Sequence, residues 1–238
     1  DISFDPIHYG LMFLMYFGLA FLATFFNVCT VYTAKTRFEG GNATFGSSLK
    51  FAFSKIFTIM QWALISATVG VLLYILDQIA QNLEGAGRIL LGILRGIISM
   101  AWNIVTLFVV PALVYYDVGP FEAIRKSIDN LKKTWGESLI RHYGMGLIQF
   151  LAVLATLIIS VALTYLLANL FATTGILIGV GVGIVMVITI ILVFGIANEI
   201  FNTALFVYGD TGQVPGAYTK NTMENAFRHK KEKTRSRA

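Results

Sequence analysis

Glu199 is the one carboxylate set well inside an apolar run, with Asn198 before it and Asn202 and Thr203 after it. An acid in that setting can do one of two things. It can relay protons or hold a cation or polar solute inside a helix bundle, or it can stay protonated and hydrogen-bond a polar group on a neighbouring helix. A charge near the bilayer centre costs about 2.5–3.5 kcal/mol on insertion scales, so a lipid-facing carboxylate is disfavoured. Tyr208 marks the end of the same run, and at 1.5 Å per residue it stands about 13 Å from Glu199. The spacing predicts that Glu199 faces the bundle, against polar groups such as Asn27, Gln61 or Asn103. Glu199, Asn198, Asn202 and Asn27 form the candidate intramembrane polar site.

No other constellation carries chemistry. His8, His142 and His229 are far apart, and none has a His, Cys or carboxylate at ligand spacing, so no metal and no cofactor is expected. The serines lack a nucleophile elbow, and there is no phosphate-binding loop. The run GVGVG at Gly179 to Gly183 is embedded in unbroken apolar sequence, not between a strand and a turn. Glu137 stands four residues before Arg141, the spacing of a surface ion pair. A catalytic group is absent from this inventory, and the expectation is that the chain is not an enzyme. Glycines supply a different signal. Gly175, Gly179 and Gly183 recur every four residues, and Gly92 and Gly96 form a second such pair, the spacing that lets helix backbones approach closely.

The elements that would position these residues are membrane helices. Of 238 residues, 56% are apolar and 13% charged, and the mean hydropathy is +0.73; soluble domains are about 45–50% apolar and about 25% charged. The fold class is therefore an all-α integral membrane protein. A single cysteine, Cys29, excludes an intrachain disulfide and a cysteine metal cluster. The net charge of +5 does not point to nucleic acid, because the basic residues sit in connections and in the tail, where they orient a chain across a bilayer.

Apolar runs place about five transmembrane helices near 9–32, 56–76, 96–116, 145–171 and 176–208 in one helical domain, 1–208, followed by a basic tail, 209–238. Between the first two spans, Phe45, Leu49, Phe53 and Ile56 share one face of an amphipathic helix. A second such helix starts at Pro120, with Phe121, Ile124, Ile128, Leu131 and Trp135 on one face. On its other face Arg125, Lys126, Lys132 and Lys133 are the candidate contacts to anionic headgroups, a composition that suits a helix lying in the headgroup plane. Arg95 is expected to snorkel toward headgroups and Pro111 to kink the third span. Lys and Arg crowd the connections after the first and third spans and the tail, whereas Arg88 and Arg95 are alone on the other side. That bias predicts a cell-membrane protein with the N-terminus of this chain outside and the C-terminus cytoplasmic.

Three exits to the basic side share one grammar: Val31-Tyr32, Val114-Tyr115 and Val207-Tyr208 each close an apolar helix before a Gly- or Pro-containing break. A repeated helical hairpin is one reading and interfacial tyrosine enrichment the other. The stretches FFNVCTVYTAKTRFEGGNATFGSSLKFAFSKI, SATVGVLL, AWNIVTLFVVPALV and SIDNLKKTWGESL, within Phe25 to Gly146, resemble an uncharacterised domain-of-unknown-function family of prokaryotic multi-pass membrane proteins. The resemblance implies a cell-membrane location and a further helix upstream of this chain, and it implies no activity. The expected function is a non-enzymatic scaffold or assembly subunit, a homo-oligomer or part of a larger membrane complex whose partners include membrane lipids. The alternative is a channel or transporter for a small solute or lipid with Glu199 in its pathway.

Overall fold

The computed structural model describes residues 6–134, 139–216 and 218, and every regular element among them is a helix. In chain order these are α1 (Pro6–Phe38), α2 (Phe45–Ser54), α3 (Ile56–Gln81), α4 (Gly85–Thr106), α5 (Val109–Tyr116), α6 (Pro120–Thr134) and α7 (Leu139–Thr211). Four stretches are long and apolar enough to cross a membrane: Ile7–Phe38, Ile56–Gln81, Gly85–Tyr116 and Ile148–Thr211. This is the architecture of a multi-pass membrane protein. The described residues fall into two compact units, one within Asp1–Lys133 and Asn202–Ala217, the other within Thr134–Phe201 and Tyr218–Ala238.

In the first unit α1 packs along α3. Gly70 makes the approach possible, because a Cβ there would stand 3.1 Å from the ring of Tyr16. Lys35 and Arg37 occupy the last turn of α1, where cations complement the helix dipole, and Gly40, with φ +81°, takes the left-handed conformation that ends it. A reciprocal cap then starts α2: the Thr44 hydroxyl accepts from the Ser47 N–H, and the Ser47 hydroxyl accepts from the Thr44 N–H. Ser48 and Ala52 are the buried face of α2. The Ser48 and Thr33 hydroxyls are in hydrogen-bond contact at 2.7 Å, and Tyr32 stacks on Phe51 at 4.4 Å. Phe25, Val28 and Val31 of α1 meet Ala52, Ile59 and Val114 in a core at this end of the unit. Toward the other end large apolar side chains such as Ile7, Leu11 and Leu14 are exposed.

Along α3 and α4, Trp62 stacks on Trp102 at 5.7 Å. Arg95 pairs with Asp77 of α3 at 2.8 Å, so its charge is met by a carboxylate of the neighbouring helix, where headgroup snorkelling was the expectation. The break in the third apolar stretch falls at Leu107 and Phe108, one turn before Pro111. The proline ring clashes with the carbonyl four residues back and supplies no N–H for it. Phe108 accordingly leaves the helical region at φ −108°, ψ 11°, and α5 restarts behind it.

In the second unit α7 folds on itself. At Ala172 the backbone takes φ 48°, ψ −129°, and the arms on either side of it lie against one another over residues 160–171 and 173–183. The contact is recorded by glycines: a Cβ on Gly179 would stand 2.6 Å from the Thr164 Cα, and one on Gly183 would stand 2.9 Å from the Ser160 Cβ. Positive φ at a residue with a side chain is strained, and the hairpin holds Ala172 there through the contacts of its arms.

Candidate functional site

The best-built cluster of polar and aromatic side chains lies in the first unit, where α5, α6 and residues 202–211 of α7 meet. Two buried residues of α6, Ser127 and Asn130, organise it. The Ser127 hydroxyl donates to the Val105 carbonyl at 2.5 Å and accepts from the Phe108 N–H at 3.2 Å. Both backbone groups are ones that the break at Phe108 removes from the helical ladder, so a side chain of α6 completes the bonding that Pro111 interrupts. One turn on, the Asn130 Nδ2 donates to the Phe206 carbonyl at 2.9 Å. The Phe206 ring sits against Phe108 at one end of α5 and against Tyr115 and Tyr116 at the other.

Tyr116 joins three elements. Its hydroxyl donates to the Asp210 carboxylate, and the Lys126 ammonium stands 3.9 Å over its ring, within cation–π range. Lys35 of α1 stands 4.8 Å over the Tyr115 ring in the same way. Asp117, with φ 52°, closes α5 in the left-handed conformation that Asp tolerates, and its carboxylate pairs with Lys55 at the junction of α2 and α3. The Asp117 side chain is largely exposed, so this pair contributes at most about 1 kcal/mol and acts mainly as a registration point. In the second unit, burial raises the Tyr218 hydroxyl above its ordinary range, and its ring packs edge-on against Phe201.

The residues singled out by sequence fall in several places. Asn202 is buried in the first unit, and its Oδ1 finds no hydrogen-bond partner among the described residues. Asn27 is half-buried in the same unit, and Asn198 and Glu199 are half-buried in the second. On α6, Arg125 and Lys132 are exposed, Lys132 lies 3.9 Å from Asp129, and Lys126 is held by Tyr116. The Lys133 side chain, Trp135, the Glu137–Arg141 pair and the tail from 219 onward lie outside the described residues. Gly175, Gly179 and Gly183 line the inner face of the α7 hairpin. Gly92 and Gly96 have nothing within 4 Å of a Cβ position apart from their own helix, so they take no part in packing among the described residues.

Ser127, Asn130 and Tyr116 were missed by sequence reasoning. Ala123 and Ser127 stand four residues apart beside the large apolar side chains, and that pair of small residues was the available signal. The cluster brings together hydrogen-bond donors, rings and cations suited to packing and anchoring. Among the described residues no group of His, Cys, Asp and Glu is placed to hold a metal ion. No curated protein and no solved structure matches the chain. The chain belongs to DUF6159, a family of unknown function, which it matches over residues 6–216, beyond both ends of the stretch that carried the resemblance in the sequence.

Proposed function

We propose that this chain is a non-enzymatic membrane scaffold, a subunit that assembles with copies of itself or with other membrane proteins. The observation that supports this reading most directly is α4. No residue of that helix is buried, and Gly92 and Gly96 leave a small-residue face open. Such a face is suited to a further helix. In this reading α1, α3, α4 with α5, and the two arms of α7 make five crossings, with the N-terminus of the chain outside and the C-terminus cytoplasmic. Lys35, Arg37, Lys50, Lys55, Arg125, Lys126 and Lys132 on the first and third connections support that orientation. Cysteines placed at Thr173 and Thr219 in a Cys29→Ser background are expected to react with impermeant reagents from opposite faces of sealed vesicles. Reaction of both from one face overturns the arrangement.

A second reading, a channel or transporter with Glu199, Asn198 and Asn202 in its pathway, has one observation in its favour: the Asn202 side-chain amide oxygen is buried without a hydrogen-bond partner among the described residues. Such a group costs about 1–3 kcal/mol and is retained for a reason. Native mass spectrometry of the protein extracted from its own membrane separates the readings. The scaffold reading expects a stoichiometric assembly that Glu199→Gln leaves intact, because glutamine keeps a hydrogen-bonding side chain. A monomer whose solute flux in proteoliposomes falls on Glu199→Gln would replace it with the transport reading.

A further inference from the structure

We infer that α2 and α6 are a matched pair of headgroup-binding wedges. Each lays an apolar flank into the acyl region of one leaflet and presents cations, Lys50 from α2 and Arg125 with Lys132 from α6, to the phosphates of anionic phospholipids. The inference rests on the membrane reading and is independent of the choice between scaffold and transporter.

The protein covers one side of each helix. On α2 the buried residues are Ser48 and Ala52; on α6 they include Ala123 and Ser127. α2 docks through Ser48 and Ala52 and α6 through Ala123, Ser127, Asn130 and Leu131, each with a serine hydroxyl bonded to the preceding apolar helix, at Thr33 in one case and across the break at Phe108 in the other. Leu131 of α6 is buried, and Leu49 and Phe51 of α2 pack on the core, but one large aromatic side chain of α6 and two of α2 are exposed. Phe45 is 78% exposed, Phe53 is 59% exposed and Phe121 is 77% exposed.

Rotation about each axis, at about 100° per residue, gives the same order in the same sense. After the buried serine of α2 come Leu49 and Phe53, then Lys50. After the buried serine of α6 come Ile124, Ile128 and Phe121, then Lys132 and Arg125, and only beyond them Asp129, Glu122 and Lys126. The cations therefore border the apolar flank, and the α6 carboxylates lie on the far side of them. Docking face, apolar flank, cation is the sequence of environments that a helix meets when it lies at a membrane surface beside its own bundle. An exposed phenylalanine adjoining a cation fits a phospholipid, whose acyl chains and phosphate adjoin in the same way. Lys126 falls outside this set, because it sits over Tyr116 on the opposite flank. The phosphate-binding residues of α6 are thus Arg125 and Lys132.

The test uses the full chain in detergent, equilibrated with an equimolar mixture of phosphatidylglycerol and phosphatidylcholine and read by native mass spectrometry. Phosphatidylglycerol is expected to be retained preferentially. Lys50→Gln should lower that preference about fivefold, and Arg125→Gln with Lys132→Gln about twenty-five-fold, at about one such factor per charge, while Lys126→Gln leaves it unchanged. Equal retention of the two lipids by the wild type, an effect of Lys126→Gln as large as that of Arg125→Gln, or displacement of the lipid by millimolar inorganic phosphate would overturn the inference. A second measurement does not depend on charge. Spin labels at Phe45→Cys and Phe121→Cys, with Cys29→Ser, are expected to be relaxed by oxygen and shielded from a water-soluble nickel chelate in bilayers of the same lipids. Labels open to the nickel chelate would mean that these faces meet water or another protein.

Discussion

Gly175→Ala is expected to force the two arms of α7 apart. A Cβ at that position would stand 1.9 Å from the Leu167 carbonyl oxygen and 2.4 Å from its carbon. Both are main-chain atoms of the opposing arm, and they cannot rotate out of the way as a side chain would. Overpacking of this kind typically costs about 1–3 kcal/mol, and contact with backbone puts Gly175 at or above the top of that range. The loss should be graded along the stripe, with Gly179→Ala next and Gly183→Ala, which meets the Ser160 side chain, least. Thermal unfolding in detergent measures the series against Gly195→Ala, in the same helix but with open space at its Cβ position, where alanine should be neutral or slightly stabilising. Equal unfolding midpoints for Gly175→Ala and Gly195→Ala would show that the arms do not meet at Leu167.

Ser127→Ala should have the second large effect. It strips the Phe108 N–H and the Val105 carbonyl of the partner they share, at a site where Phe108 and Ser127 are both fully buried. Unsatisfied buried groups cost about 1–3 kcal/mol each, so a destabilisation of about 2–6 kcal/mol is expected. The origin of the break can be tested in the same experiment. If Pro111 causes it, Pro111→Ala lets the helix close its own ladder, and Ser127→Ala then costs less in that background than in the wild type. Additive effects in this double-mutant cycle would separate the serine from the proline.

Much of the architecture was legible in the sequence because a membrane enforces it. Helices must satisfy their own backbone groups in lipid, so the apolar runs read as about five spans correspond to four membrane-length stretches, the last two runs falling together in Ile148–Thr211. The amphipathic helices were legible for the same reason, since periodicity of 3.6 survives any environment. Their docking faces were harder to read. In a soluble protein the largest apolar side chains turn inward, whereas beside a bilayer they turn to lipid. Ala123, Ser127 and Asn130 face the protein on α6, and Phe121 faces out. The partner of Arg95 was also hidden, because Asp77 lies on a different helix and only the packing of α3 on α4 brings the charges together. Spacing marked Pro111 as a kink but gave no sign of the serine that seals it.

The turn at Ala172 bears on how the chain enters a bilayer. From Ile148 to Asn198 no residue carries a charge, and the turn itself is Ala172, Thr173, Thr174 and Gly175. Carrying that turn through lipid requires dehydrating two hydroxyls and a few peptide groups, with no ion to move. The inner glycine faces can also find each other as soon as both arms have been synthesised. In the proposed five-crossing reading the two arms would enter the membrane together as a preassembled pair whose direction is left to the basic residues upstream and downstream of it, a cargo with no address of its own.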